Sequence, residues 1–275
     1  MMRRRAAAQP GPSAGTRPGP LPLREHKEAF VTELFARIAP RYDGMNRLMT
    51  FGLDRRWRRL AVREALGWKE GRVDRGRGPA RVLDVATGTG DLAVELLRQD
   101  PALHVVGLDL VPEMLAIARR KADALLGPSP GAPGDGAGGR LDLVLGDALH
   151  LPFGDGEFDA VVTGFALRYV LDIPAAFAEM ARVTRRGGRL ACLELSRPRL
   201  PVLRQLHSVY SFRIVPLLGR LVAREAAAYT YLPHSVSAFL SPDEVAEVMR
   251  SSGWREVRHR RMGLGAVALH VGTRG

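Results

Sequence analysis

The chain has 275 residues, of which 46% are apolar and 25% charged, and this composition excludes a wholly disordered or collagen-like protein. The single cysteine, Cys192, excludes an intramolecular disulfide and a cysteine-based zinc site, and no apolar run approaches the ~20 residues of a membrane-spanning helix. The net charge of +12 would suit nucleic acid, but arginine outnumbers lysine 38 to 3, as in proteins from GC-rich genomes, and the charge is spread along the chain. We therefore expect no nucleic-acid partner.

Residues 1–24 are predicted to be a disordered N-terminal tail. They contain five prolines with glycine, alanine and arginine but no acidic residue, so they can bury little apolar surface. The absence of acid is also typical of a transit peptide, although the prolines break the amphipathic helix that such a peptide forms. The rest of the chain, 25–275, is predicted to form one domain.

Residues 25–70 are predicted to form an N-terminal helical region. Apolar side chains recur every four residues from Phe30 to Ile38, and the segment 39–46 breaks the helix that this spacing predicts. Asp54 opens a second helix with five arginines on one side and apolar residues on the other. Such a basic helix suits either an anionic membrane surface or the solvated side of a helix packed on the core.

The middle of the chain alternates short apolar strands with helices. Apolar and β-branched runs predict five strands, at 81–86, 104–109, 141–146, 158–163 and 189–194. Helical spacing predicts helices at 91–98, 112–125 and 174–183, and a proline- and glycine-rich loop spans 127–139. This order of elements favours a parallel sheet with helices on both faces.

The C-terminal part completes the predicted sheet. Ser241 begins a helix with a capping-box pattern, and two strands follow near 254–260 and 266–271. Between the fifth strand and this helix, the aromatic-rich segment 198–240 is predicted to be a lid insertion over the sheet. The predicted fold is α/β and Rossmann-like, with a doubly wound, mostly parallel seven-stranded sheet.

Glycines and acidic residues gather where the predicted strands end. Gly88 and Gly90 let the chain turn sharply after the first strand and approach a ligand closely, in front of a helix N-terminus. Asp84 lies inside that strand, a poor place to receive a pyrophosphate but a good one to face a cationic amino-acid group. Asp109 ends the second strand, where it can accept two ribose hydroxyls, and Asp147 follows the third. Acidic residues at the ends of three consecutive strands resemble the pattern in the sheet of S-adenosylmethionine-dependent methyltransferases. The loose G-x-G-x-x-A turn also fits a nicotinamide-dependent oxidoreductase, which is the alternative.

A longer resemblance covers most of the chain. The run Phe-Ala-Arg-Ile-Ala-Pro-Arg-Tyr-Asp-Gly-Met-Asn, which starts at Phe35 and continues to Arg59, is similar to the opening signature of the ubiquinone/menaquinone-biosynthesis C-methyltransferases. Further stretches match the family in order, at 151–153, 164–168, 186–190, 193–198, 210–212 and 229–236. The resemblance runs from about Ala29 to Gly272, apart from the loop at 127–139.

The resemblance implies contacts to S-adenosylmethionine. The family's contacts fall on Thr89, Asp109, Asp147 and Ala148, the last two at the adenine edge, while a family serine is replaced here by Gly164. With the residues of the first turn, the predicted cofactor-binding set is Asp84, Gly88, Thr89, Gly90, Asp109, Asp147 and Ala148.

The resemblance also implies an acceptor site. Arg168 stands at the family's arginine position and is the candidate to stabilise phenolate charge on a quinol, with an ion pair at the surface as the alternative. Tyr42 is the candidate proton relay or a packing residue at the lid hinge. Tyr169 replaces an asparagine that orients the family's substrate, and His207 is assigned to the acceptor side as a packing residue or proton carrier. The histidine spacing indicates no metal site.

The predicted function is transfer of a methyl group from S-adenosylmethionine to the ring carbon of a prenylated quinol, most plausibly demethylmenaquinol. Methylation of another aromatic small molecule, which Tyr169 favours, and a non-catalytic cofactor-binding assembly protein are the alternatives. The protein is expected in the cytoplasm, and the sequence leaves open both peripheral contact with the inner face of the membrane and a homodimer.

Overall fold

The computed structural model describes residues 26–67, 80–126, 140–223 and 225–275. The predicted tail at 1–24 and the predicted loop at 127–139 lie outside these ranges. The N-terminal helices are α1 (Lys27–Ile38), α2 (Tyr42–Thr50) and α3 (Leu53–Leu66).

The predicted break at 39–46 is shorter in the structure. Residues Ala39–Arg41 form a single 3₁₀ turn, and α2 already begins at Tyr42. Pro40 lacks the N–H that would continue α1, so it interrupts the helical hydrogen bonds without preventing a new helix directly after it. The sequence Tyr-Asp-Gly-Met-Asn is therefore helical, which the prediction missed.

Seven strands in the described part of the chain form one sheet in the order β3-β2-β1-β4-β5-β7-β6. They are β1 (Arg81–Val85), β2 (His104–Asp109), β3 (Arg140–Leu145), β4 (Phe158–Gly164), β5 (Thr184–Leu195), β6 (Trp254–Met262) and β7 (Val267–Arg274). The first five strands pair in parallel, and β7 pairs antiparallel with both β5 and β6. The predicted mostly parallel, seven-stranded sheet is confirmed.

Helices cover both faces of this sheet because successive strand residues point to opposite sides. The flanking helices are α4 (Asp91–Gln99), α5 (Pro112–Leu126), α6 (Ile173–Val183) and α10 (Pro242–Ser251). Val82 packs in a core with α3 and α4, whereas its neighbour Leu83 packs in a second core with α6 and α10. Ser241 caps α10 with the predicted capping box, since its Oγ accepts from the Glu244 N–H and Glu244 accepts from the Ser241 N–H.

The lone cysteine lies in the middle of the sheet. Cys192 of β5 is fully buried between Thr163 of β4 and His270 of β7. Burial raises the pKa of its thiol well above the ordinary value.

A third apolar cluster forms a roof above the carboxyl ends of the strands. The lid segment, 201–238, consists of α7 (Pro201–Val209), a π-helical turn (Tyr210–Ile214), α8 (Val215–Leu218), a second π-helical turn (Gly219–Ala223) and α9 (Ala226–Ala238). Leu34 and Ile38 of α1 and Met45 of α2 pack in one cluster with Val215 and Tyr229 of this segment. In the described ranges, we find no helix with the length and apolar character to cross a bilayer. That the segment moves as a lid stays a prediction.

Candidate active site

One cavity lies at the carboxyl ends of the parallel strands, where sheets of this kind bind ligands. We call it the strand-end cavity. Its floor residues include Ala86, Gly88, Asp109, Gly146, Asp147, Ala148, Gly164 and Phe165, and α1 covers it with Val31, Thr32 and Phe35. The structure therefore brings together four of the seven predicted cofactor-binding residues, from the ends of three consecutive strands.

The glycine turn after β1 is shaped for a ligand. Gly88 has a φ of +56°, and a Cβ placed on it would meet no protein atom within 4 Å. The missing side chain thus leaves open space at the edge of the cavity. Gly90 has a φ of +80°, and a Cβ there would lie 3.0 Å from the Ala118 side chain, so this glycine lets α4 start close to α5.

Asp109 connects the turn to the end of β2. Its Oδ2 accepts from the Gly88 N–H at 2.7 Å and its Oδ1 from the Val111 N–H at 2.9 Å. Burial raises its pKa and these backbone donors oppose the rise. Asp109 also lines the strand-end cavity, so its carboxylate can accept a ribose hydroxyl in addition to these backbone donors.

Two predicted cofactor residues lie below the turn rather than on the cavity surface. Asp84 is 1% exposed, and its Oδ2 accepts from the Thr87 hydroxyl and the Ala93 N–H. Burial raises its pKa to about 7, and its Oδ1 has no partner among the residues that the structure describes. Thr89 is 2% exposed and its hydroxyl donates to Asp43 of α2 at 2.6 Å. Their predicted contacts with the cofactor stay predictions.

Lys121 of α5 lies at the centre of a network of ion pairs and hydrogen bonds that connects α2 to the glycine turn. Its Nζ lies 2.6 Å from both Asp43 and Asp91 and donates to the Thr89 hydroxyl at 2.9 Å. Arg58 of α3 joins the network through Asp91 at 3.4 Å. No local sequence pattern singles out Lys121, because its partners come from two distant stretches of the chain, α2 and residues 89–91.

A second cavity, which we call the roof cavity, lies between the sheet and the lid segment. Its walls are largely apolar, with Leu34, Met49, Trp57, Val215, Leu232 and Val236 among them. The polar side chains that reach it include Tyr42, Arg168, Tyr169, His207 and Tyr229. All four residues predicted for catalysis or acceptor binding thus line one cavity.

The two cavities share a wall. Phe35, Tyr42, Phe165 and Tyr169 line both of them. The Phe35 ring contacts Tyr42 and Tyr169 edge to face, with centroids 5.9 Å and 4.9 Å apart. The two cavities are therefore neighbours, bordered on their common side by these four aromatic side chains.

Arg168 is buried and paired. Its guanidinium lies 2.5 Å from Glu194, donates to the Phe165 carbonyl at 2.6 Å and donates to the Tyr169 hydroxyl at 3.0 Å. Both partners of the ion pair are at least nine-tenths buried, so the predicted alternative of a surface ion pair is wrong. Phe165 has a φ of +60°, a strained conformation for a bulky residue, and Arg168 stabilises that turn.

Two further titratable groups of the roof cavity, Tyr42 and His207, are neutral near pH 7. Burial, followed by the nearby Tyr169 phenol, raises the pKa of Tyr42 to about 12, so its hydroxyl keeps its proton. Burial lowers the pKa of His207. Tyr42 can therefore donate a hydrogen bond at neutral pH, and His207 can accept a proton.

The residues present fit S-adenosylmethionine. The open side of Gly88, the carboxylate of Asp109 and the position of Asp147 and Ala148 provide groups for a nucleoside in the strand-end cavity. In the described part of the chain, no group of three or more histidine, cysteine or acidic side chains could hold a metal ion.

The chain is similar in sequence and in fold to known methyltransferases. The sequence profile of the ubiE/COQ5 methyltransferase family matches residues 23–274. A demethylmenaquinone methyltransferase of Roseiflexus castenholzii is 46% identical over 254 residues, which are 92% of this chain and 97% of that protein. A ubiquinone/menaquinone biosynthesis C-methyltransferase UbiE of Geobacter sulfurreducens is 40% identical over 246 residues, 89% of this chain and 88% of that protein. A solved S-adenosylmethionine-dependent methyltransferase of Thermotoga maritima, 19% identical, matches with a TM-score of 0.56 over 89% of this chain and 99% of that one, and shows the same fold.

Proposed function

The chain belongs to the ubiE/COQ5 methyltransferase family, and from this premise we propose that it methylates a ring carbon of a prenylated quinol, demethylmenaquinol, with S-adenosylmethionine as the methyl donor. The similarity to named demethylmenaquinone methyltransferases over nearly the whole chain supports this acceptor. The observation that carries the proposal is the aromatic wall shared by the two cavities. A donor in the strand-end cavity and an acceptor in the roof cavity meet there.

S-adenosylmethionine supplies an electrophilic methyl group on its sulfonium sulfur. In the overall reaction the ring carbon forms a bond to the methyl carbon, the methyl–sulfur bond breaks, and the ring carbon loses its proton. Gly88, Asp109 and Asp147 bind and orient the donor. Helix α1 covers part of the strand-end cavity and so limits the access of water to it.

The acceptor must become nucleophilic at carbon, which loss of a phenolic proton achieves. A free phenol has a pKa of about 10, so little of it is ionised at neutral pH. The Arg168 guanidinium favours the phenolate, although Glu194 neutralises part of its field. Tyr42 donates a hydrogen bond to the same oxygen, and His207, which also lines the roof cavity, can receive a proton.

Asp109 gives a test of the donor site. Asp109→Ala is expected to weaken S-adenosylmethionine binding by about 1–3 kcal/mol, because the ribose hydroxyls lose a charged acceptor and the Gly88 N–H loses its partner. Titration calorimetry measures the affinity. Asp155→Ala, at an exposed aspartate, is the matched control. An unchanged affinity in Asp109→Ala would contradict the assignment.

The acceptor is tested with purified protein and a reduced short-chain demethylmenaquinone. Mass spectrometry should show the quinone with one added methyl group and S-adenosylhomocysteine in equal amount. A reduced naphthoquinone without a prenyl tail should react more slowly, since it leaves the apolar wall of the roof cavity uncovered. Equal rates would favour another aromatic acceptor, no turnover would favour an assembly protein, and calorimetric binding of a nicotinamide cofactor would favour an oxidoreductase.

The exposed side of the lid segment supports contact with a membrane. Large apolar side chains there are at least two-fifths exposed; they are Val202, Leu206, Val209, Phe212, Ile214, Leu217, Leu221 and Val222. Residues 199–223 also contain four arginines and no acidic residue. The inner side of the same helices lines the roof cavity through Tyr210 and Val215. We infer that this face lies on an anionic bilayer, which would let a prenylated quinol pass from the membrane into the roof cavity.

Leu221→Glu is expected to reduce binding to vesicles of phosphatidylglycerol by at least about tenfold, because one apolar anchor is lost and a negative charge is added. Leu125→Glu, at an exposed leucine of α5, is the matched control. Cosedimentation measures both variants. If Leu221→Glu instead dissociates a dimer in sedimentation velocity runs without vesicles, the face joins two copies of the chain and the membrane assignment is wrong.

A further inference from the structure

Tyr229 of α9 is a buried phenol that the mechanism above does not use. Its side chain lines the roof cavity and the residue is 4% exposed. Its ring lies directly against Gly219, where a Cβ would come within 2.6 Å of the ring carbons. The backbone of the second π-helical turn thus determines where the ring lies.

The Tyr229 hydroxyl has no hydrogen-bond partner among the described residues. Other phenols of the roof cavity are partnered, since the Tyr210 hydroxyl donates to the Met49 carbonyl at 2.8 Å and the Tyr169 hydroxyl accepts from Arg168. A buried polar group without a partner destabilises the folded protein, because it has lost its hydrogen bonds to water. An unpartnered polar group at the wall of a cavity is expected where a bound ligand supplies the missing hydrogen-bond partner.

The surroundings of this hydroxyl favour one role. Burial raises the pKa of Tyr229, and the phenols of Tyr42 and Tyr169 are near enough to raise it further. The hydroxyl therefore stays protonated and donates. An oxygen of a molecule in the roof cavity can supply the missing acceptor, and a neutral donor suits a phenolate oxygen without adding a further cation to the cavity.

We propose that Tyr229 donates a hydrogen bond to a ring oxygen of the aromatic acceptor and so orients the ring against the wall shared by the two cavities. This assignment rests on the proposed function for the identity of the acceptor. It makes Tyr229 an acceptor-binding residue in addition to Arg168 and Tyr42.

Tyr229→Phe tests the proposal because it removes only the hydroxyl. Without a ligand, the variant should melt at a higher temperature than the wild type, since the unpartnered polar group is gone. The reduced short-chain demethylmenaquinone should bind about 10- to 100-fold more weakly, as expected for loss of a hydrogen bond to a charged oxygen. Tryptophan fluorescence measures this binding without turnover, because Trp57 lines the roof cavity. Affinity for S-adenosylmethionine should not change.

Tyr210→Phe is the matched control. Its hydroxyl already has a partner within the protein, so this variant should melt at a lower temperature than the wild type. Quinol affinity of Tyr229→Phe within twofold of the wild type, or a fall in melting temperature equal to that of Tyr210→Phe, would overturn the proposal. If the wild type binds the quinol without methylating it, the proposed function fails while the role of Tyr229 is still measured; if it does not bind the quinol at all, both fail.

Discussion

Arg168→Ala is expected to lower the turnover number by about 10²–10³-fold while the affinity for S-adenosylmethionine stays nearly constant. The reason is that the guanidinium acts on charge that develops on the quinol as the methyl group moves. The structure adds a second effect, since the variant leaves Glu194 buried without its cation. Removing one member of a buried ion pair costs about 3–5 kcal/mol of folding stability.

The double variant Arg168→Ala, Glu194→Ala separates these two effects. It removes both charges, so it should recover much of the lost melting temperature. Its turnover should remain as low as that of the single variant. Arg168→Lys should recover part of the turnover, because it keeps the charge but loses the planar fork that contacts Glu194, Phe165 and Tyr169. Recovery of full turnover in the double variant would remove Arg168 from the mechanism.

Glu194→Gln tests the role of Arg168 through the pH dependence of turnover. The substitution keeps the side-chain shape but removes the negative charge that neutralises Arg168. The uncompensated cation should lower the pKa of the bound quinol, so the rise of kcat with pH should occur at lower pH than in the wild type. A shift to higher pH would contradict a role for Arg168 in favouring the phenolate.

Lys121→Met is expected to reduce the free energy of unfolding by about 2–3 kcal/mol and to weaken S-adenosylmethionine binding. The substitution leaves Asp43 and Asp91 close together without their shared cation, and the Thr89 hydroxyl loses one of its partners. Asp43 belongs to α2, so this helix should loosen above the glycine turn. Urea unfolding and calorimetry measure the two effects.

Arg120→Met is the matched control for Lys121→Met, because Arg120 is the preceding residue of α5 and its side chain is exposed. Its stability should stay within about 0.5 kcal/mol of the wild type. If Lys121→Met is no less stable than Arg120→Met, the network does not fasten α2. If it is less stable but binds S-adenosylmethionine normally, the network stabilises the fold without shaping the donor site.

Much of the fold and part of the site follow from local sequence patterns. Alternating apolar strands and helices predict the parallel sheet, and since parallel strands end at one edge, they also predict that Asp109 and Asp147 lie near one another. The resemblance assigned Arg168 to the acceptor site and the chemistry of quinol methylation assigned Tyr42 to it, and both residues line the roof cavity. The ends of elements were less predictable: β5 begins at Thr184 rather than at 189.

The remaining site residues depend on tertiary contacts that a linear pattern does not encode. Lys121 sits in the helix predicted at 112–125, and its role follows from the approach of Asp43 of α2, which the helical pattern does not encode. Glu194 belongs to an apolar strand, and its pairing with Arg168 depends on the register between β4 and β5. Tyr229 lies in the predicted lid insertion, and only the approach of Gly219 determines where its hydroxyl lies.

Cys192 gives the protein an internal probe of its own unfolding. Thiol reagents attack an exposed thiolate, whereas this thiol is enclosed between β4 and β7 and its raised pKa keeps it protonated. Labelling of Cys192 therefore requires the central strands to separate. When the strands close again faster than the reagent reacts, the labelling rate reports the free energy of strand separation. Because the chain has a single cysteine, alkylation followed by mass spectrometry can rank the opening of every variant described above without an added label.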